Sequence, residues 1–236
     1  MNRFILKENE IHVWSADLAN FESINIYQAS LSGDELKRAQ GYKFAAASQN
    51  FIMSRGILRH LLAEYLGLAP STIVFKYGKF GKPSVHLEQN RQALKFNLSH
   101  SANRVCYAFT QGSELGIDVQ YHKENLPYLK LAKRFFTAAE SEQLMRLPKE
   151  QQQGHFFALW AAKEAYVKAN GMSLLKCIAQ VSLESTPEGG FKLNSEQANG
   201  DWKIQVFNLK GNYTLALATT RPNPIINYYS YLPANP

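Results

Sequence analysis

Two acids in this chain, Asp118 and Glu164, sit among lysines, arginines, serines and a histidine, a mixture suited to chemistry at phosphorus. A carboxylate pair can share a hard cation, and magnesium takes one or two protein carboxylates and completes its octahedron with phosphate oxygens and water. Arg55, Lys82, Ser99, His100, Lys163 and Lys168 are candidate phosphate donors around that pair. Displacement at phosphorus draws most of its rate from positioning and charge neutralisation, which such a set supplies. A Ser-His-Asp hydrolase built from Ser99, His100 and Asp118 is disfavoured, because adjacent Ser and His point to opposite faces of an extended chain and no GxSxG elbow occurs. The absence of a Walker loop and of GxGxxG argues against a P-loop or Rossmann enzyme.

The elements that must hold these residues follow from local pattern. WAAKEAYVK, 160 to 168, is rich in helix formers, and as a helix it crowds Trp160, Lys163, Glu164, Val167 and Lys168 onto one side. The bland alternative is a surface pair of Glu164 with Lys168 while Trp160 and Val167 face the core. Asn170 and Gly171 end that helix. In GIDVQ, 116 to 120, Asp118 and Gln120 are two apart and project from one face of a strand. Upstream, Ser32 with Glu35 and Thr137 with Glu140 are capping boxes that start helices.

Between them, a long helix is expected from about Ala45 to Leu66, with Arg55 and Arg59 one turn apart on one face. Two such arginines repel unless an anion or carboxylate lies between them; Glu64 is one explanation and a bound phosphate another. The spacing predicts strands at Ile11 to Asp17 and Ser71 to Tyr77, then a Gly-Pro turn holding Lys79 and Lys82. LKFNLSHSANRVCYAFT predicts two strands joined by a polar turn at Ser99 to Arg104, either ordinary turn chemistry or a phosphate-binding loop. The tail alternates through IAQVSLES, WKIQVFNLKGNYTLALATT and a terminal aromatic strand at 227 to 232.

FNLSHSANRVCYAFT at 96 to 110 and FNLKGNYTLALAT at 207 to 219 share an opening, a polar turn and an apolar return. Read as duplication, this predicts an α+β protein of two similar lobes joined near 111 to 116, spanning 1–112 and 113–236, with the ligand cleft between them. Hydrophobic residues at 45% and charged ones at 19% describe a globular chain able to bury a real core, and no apolar run approaches a membrane span. MNRFILKENEIHVW is acidic early and lacks a leader's long apolar stretch, so a cytoplasmic location is expected. In that setting the two cysteines, Cys106 and Cys177, are expected to be buried free thiols. Net charge is +7, from 26 basic and 19 acidic residues, which attracts an anionic cofactor, an acidic protein or nucleic acid; the dispersed positive residues do not support a nucleic-acid-binding arm.

GKP at 81 to 83, FNLSHS at 96 to 101, GIDVQ, RFFTAAE at 134 to 140 and WAAKEAYVK, in this order and spacing, resemble the 4′-phosphopantetheinyl transferases of the surfactin-synthetase-activating type. The resemblance covers residues 32 to 175. It implies a monomeric pseudo-dimer of two α+β lobes, each a small antiparallel sheet packed with helices, binding coenzyme A and Mg²⁺ in the cleft. It also implies transfer of phosphopantetheine to a serine of an acyl or peptidyl carrier protein, with release of adenosine 3′,5′-bisphosphate. Position by position, Asp118 and Glu164 match metal ligands, Ser99 and His100 match contacts to coenzyme A phosphates, and Lys82 and Arg38 match residues at the nucleotide end. Lys163 and Lys168 would flank the pyrophosphate, and Glu140 matches the glutamate after the paired phenylalanines.

Two departures stand out. Where the family usually has glutamate as a third metal ligand, this chain has Gln120, whose amide oxygen can still ligate the metal or hold a ligand water. The family's basic residue near Asn50 is also missing, and Arg55 is placed to compensate. Glu164 is the expected base for the carrier serine and Glu140 the second candidate; Lys168 neutralises the leaving group. The carrier should be acidic, to suit the positive chain. The competing reading is a non-catalytic basic module for coenzyme A or RNA, though carboxylates lining a nucleic-acid groove would oppose binding.

Overall fold

A computed structural model describes residues 4–187, 189–194 and 200–233. The first half of the chain runs β1 (Glu10–Asp17), α1 (Asn25–Ala29), α2 (Gly33–Gln40), α3 (Ala45–Leu66), β2 (Phe75–Tyr77), β3 (Pro83–Val85), β4 (Leu94–Ser101) and β5 (Arg104–Gln111). The second runs β6 (Leu115–Tyr121), α4 (Tyr128–Phe135), α5 (Ala138–Arg146), α6 (Lys149–Ala169), α7 (Leu174–Cys177), β7 (Leu183–Ser185), β8 (Phe191–Leu193), β9 (Lys203–Leu209), β10 (Tyr213–Thr219) and β11 (Ile225–Ser230). Each half is thus a strand, helices culminating in a long one, a short hairpin and a long hairpin. The sheets match: β1-β5-β4 in the first and β6-β10-β9 in the second are antiparallel in the same order. The expected α+β class with two similar halves is what the chain forms.

Local chemistry sets the helix starts. Ser32 and Thr137 accept the backbone N–H of Glu35 and Glu140, and both glutamates reach back to the cap nitrogen, so both capping boxes form. Gly67, in the left-handed region at φ 68°, ends α3. Three expectations are corrected. The strand expected from Ser71 is a 3-10 turn at Pro70–Thr72 and extends only over Phe75–Tyr77. The turn expected at Ser99 to Arg104 shrinks to Ala102 and Asn103, because β4 stays paired with β5 through Ser101. The terminal strand leaves the second lobe: β11 pairs in parallel with β1, setting Trp14 opposite Tyr229, and their stacked rings lie 4.6 Å apart.

Each lobe has its own core, one under α3 and one under α6. A third cluster joins them, with Ile11, Val13, Cys106 and Ala108 of the first sheet against Ile117, Val119, Leu215 and Leu217 of the second. Fully burying such large aliphatic side chains is worth ~1.5–3 kcal/mol each, so the seam is a solid joint that fixes how the lobes face each other. Cys106 is buried in that seam and Cys177 only half-buried; both are free thiols. No helix among the described residues is long and apolar enough to cross a membrane.

Candidate active site

β4 and β6 run side by side along the seam, and the alternation of FNLSHS explains how. Asn97, Ser99 and Ser101 share one side of the strand. Asn97 Oδ1 accepts the N–H of Ile117 at 3.0 Å, Ser101 Oγ accepts the N–H of Tyr121 at 3.0 Å, and Ser99 Oγ donates to Asp118 Oδ1 at 2.8 Å. His100, between them, points the other way and lines a cavity of about 260 Å³ with Arg38, Arg55, Lys82 and Lys168. Ser99, expected at a phosphate, is instead 4% exposed and bonded to Asp118; only His100 of that pair lines the cavity. The period-two pattern of the motif carried this signal.

α6 brings the second acid. Asp118 is fully buried; its Oδ1 also accepts from Lys168 Nζ at 2.5 Å, and its Oδ2 accepts from Gln120 Nε2 at 2.7 Å. Glu164 accepts from Trp160 Nε1 at 2.7 Å and its other oxygen lies 3.9 Å from Lys168 Nζ. The surface-pair alternative fails, since Glu164 is only 8% exposed. Its carboxyl is pushed up to about 8, first by burial and then by the Asp118 carboxylate, with Lys168 and Trp160 pulling it down.

A carboxyl raised from 4.5 to about 8 keeps a proton in the folded protein that the unfolded chain releases. Its contribution to stability is therefore present below the unfolded value and lost as pH rises through the folded one. In a chelating buffer Tm should fall between about pH 5 and pH 8.5, and Glu164→Gln should flatten that slope. A Tm that climbs across the window in the wild type would contradict this charge arrangement.

Lys163 and Glu140 require correction as site residues. Lys163 is fully buried and pairs with Glu140 at 2.5 Å, while Glu140 also accepts the backbone N–H groups of Thr137 and Leu183. Adjacent residues on a helix diverge by about 100°, so once Glu164 and Lys168 face β4 and β6, Lys163 turns into the C-terminal core. There it ties α5 to α6, away from the cavity. The arginine pair is also explained differently. Glu35, having capped α2, lies 2.7 Å from Arg59 Nε and 3.4 Å from Arg55 Nε, so neither Glu64 nor a phosphate is needed between them. Arg59 is spent on Glu35 and the carbonyls of Pro70 and Ile73. Arg55 keeps a buried Nη1 without a hydrogen-bond partner among the described residues and lines the cavity. Arg38 is exposed at the cavity's edge, its guanidinium 5.2 Å from the centre of the Phe51 ring.

Lys82 lines the same cavity, yet its ammonium is committed across the seam. It donates to Ala169 O at 2.5 Å and Leu115 O at 3.3 Å and lies 3.6 Å from Glu114. It therefore caps the C-terminal end of α6 from the other lobe, where a cation meets unpaired carbonyls and the negative end of the helix dipole. His100 is held below the usual histidine range by desolvation and then by the Lys168 cation.

A buried acid pair under a cation-lined cavity at a two-lobe seam is the arrangement to set against known proteins. The description "4′-phosphopantetheinyl transferase, N-terminal" matches residues 13–112, and "4′-phosphopantetheinyl transferase superfamily" matches residues 114–218. The 4′-phosphopantetheinyl transferase HetI of a Nostoc species is 39% identical over 82% of this chain and 81% of its own. The chain belongs to the 4′-phosphopantetheinyl transferase superfamily. Among further relatives, the transferase psf-1 of Bacillus pumilus is 28% identical over 81% of this chain and 80% of its own. Sfp of Bacillus subtilis is 23% identical over 84% and 85%. A solved holo-(acyl-carrier-protein) synthase from Bacillus anthracis, in complex with CoA (3′,5′-ADP), is 21% identical, covers 45% of this chain and 93% of its own, and has a TM-score of 0.40. As a 4′-phosphopantetheinyl transferase the chain is an enzyme, and the non-catalytic binding-module reading is set aside.

Proposed function

We propose that this transferase moves the 4′-phosphopantetheine arm of coenzyme A onto a serine of an acidic acyl or peptidyl carrier protein in the cytoplasm, acting as a monomer with magnesium and releasing adenosine 3′,5′-bisphosphate. The observation that carries the reading is the Asp118–Glu164 pair beside Lys168, at the wall of a cavity that also presents Arg38, Arg55 and His100. Asp118, Glu164 and the Gln120 amide oxygen suit a hard cation, because Asp118 raises the Glu164 carboxyl and a divalent ion would relieve that conflict. When bound, magnesium would neutralise pyrophosphate charge and polarise the phosphorus.

The chain's own residues do the rest. Arg55 and Arg38, both close to the Phe51 ring and both lining the cavity, take the nucleotide end. Lys168 neutralises charge building on the leaving bisphosphate as the bond between the β-phosphorus and the bridging oxygen breaks. Glu164, directly or through a bound water, accepts the serine proton as the Ser–O–P bond forms. The +7 charge favours encounter with an acidic partner that brings the acceptor serine.

The deciding experiment is the intact mass of apo carrier proteins after incubation with the enzyme, coenzyme A and Mg²⁺, beside a metal-free control. A metal-dependent gain of one phosphopantetheine is expected; no gain on fatty-acid, polyketide or peptide carriers would sink the reading. Gln120→Glu should lower the Mg²⁺ needed for half-maximal turnover, since it supplies the charge missing at this position; an unchanged metal titration would place residue 120 outside the metal's reach.

A further inference from the structure

Lys168 belongs at once to the acid pair and to the cavity. Its Nζ lies 2.5 Å from Asp118 Oδ1, 2.8 Å from Ser99 Oγ and 3.9 Å from Glu164 Oε2, and its side chain lines the cavity with Arg55 and His100. Both oxygens of Asp118 already have donors, Oδ1 from Ser99 and Lys168, Oδ2 from Gln120. An ammonium donates only, so at these distances it fills the place a cation needs on the acid pair. The side chain is 28% exposed, and a lysine stem has four rotatable bonds, so the ammonium has room to leave.

We propose that Lys168 is a tethered counter-ion that a divalent cation displaces from Asp118 and Glu164 into the cavity, so that cation and anionic nucleotide bind with positive cooperativity. The inference rests on the proposed function and adds a linkage within its site. On the acids, the ammonium competes with the cation; in the cavity, it attracts phosphate. Either ligand favours the same second position, and by thermodynamic reciprocity each strengthens the other.

The test uses Mn²⁺ alone as the probe, followed by electron paramagnetic resonance of the free ion, with and without adenosine 3′,5′-bisphosphate. Lys168→Met should bind Mn²⁺ about tenfold tighter than the wild type, a change of ~1.4 kcal/mol, and Lys168→Gln should do the same. Lys82→Met is the control, because it removes a neighbouring cation whose ammonium is bonded to Ala169 and Leu115; a purely long-range charge effect would tighten Mn²⁺ in that variant too. The bisphosphate should strengthen Mn²⁺ binding more in the wild type than in Lys168→Met. Equal Mn²⁺ affinity in the wild type and both Lys168 variants, or an equal gain in Lys82→Met, overturns the exchange and leaves the proposed function standing. Failure of every protein to bind Mn²⁺, with or without the nucleotide, removes the metal from the proposed function and this inference with it.

Discussion

Gly116→Ala should cut turnover by about 100-fold or more while the protein still folds, with Tm lowered by several degrees. A Cβ at this position would lie 2.0 Å from Ala165 O, 2.6 Å from Ala169 N and 2.9 Å from Ala169 Cβ. The first two are backbone atoms of α6, which no side-chain rotation can clear. The helix must back away from β6, and the overpacking costs ~1–3 kcal/mol. The displaced segment carries Glu164 and Lys168, whose distances to Asp118 define the site. A misplacement of about 1 Å is enough to lose two orders of magnitude in a reaction that depends on positioning. Gly154→Ala, on the same helix with nothing within 4 Å of the added carbon, should be neutral or slightly stabilising. Ala169→Gly in the Gly116→Ala background relieves only the 2.9 Å contact, so it should restore little. Near-normal kcat/KM in Gly116→Ala would mean that the seating of α6 does not set the chemistry.

What the sequence revealed follows the range of the interactions involved. The long helix over 45–66, both capping boxes and the shared face of Asp118 and Gln120 rest on contacts within four residues, and the structure contains each of them. Glu164 and Lys168 were also paired by local spacing, and they do face one another. Lys163 could not be separated from them by pattern alone, because its direction depends on Glu140 arriving from another helix. The roles of Ser99 and Lys82 were hidden for the same reason. Each is defined by a group on the opposite lobe, Asp118 for the serine and Ala169 for the lysine. β11 joins β1 across more than two hundred residues, beyond the reach of any local signal. Gly116 sat in view as the first residue of a motif, yet its φ is not left-handed; its requirement is proximity to a helix fifty residues later.

Glu164→Gln should end transfer, with kcat reduced by about 10³-fold or more, and at the same time leave Tm unchanged or raise it, most clearly near pH 8. The two effects come from the same geometry. Because the carboxyl holds a proton up to about pH 8, a neutral amide of the same shape resembles the form the fold already prefers. The amide oxygen keeps the 2.7 Å bond from Trp160 Nε1, and Asp118 loses a like-charged neighbour. Lys168 still has Asp118 at 2.5 Å. What disappears is the ability to carry negative charge, which both a cation ligand and a proton acceptor require. A residue whose charged form strains the fold and whose neutral substitute relieves it is held in place by function, and stability and turnover should move in opposite directions when it is replaced. Turnover within a few-fold of wild type would remove Glu164 from the chemistry, while a Tm drop of many degrees would assign it to the scaffold.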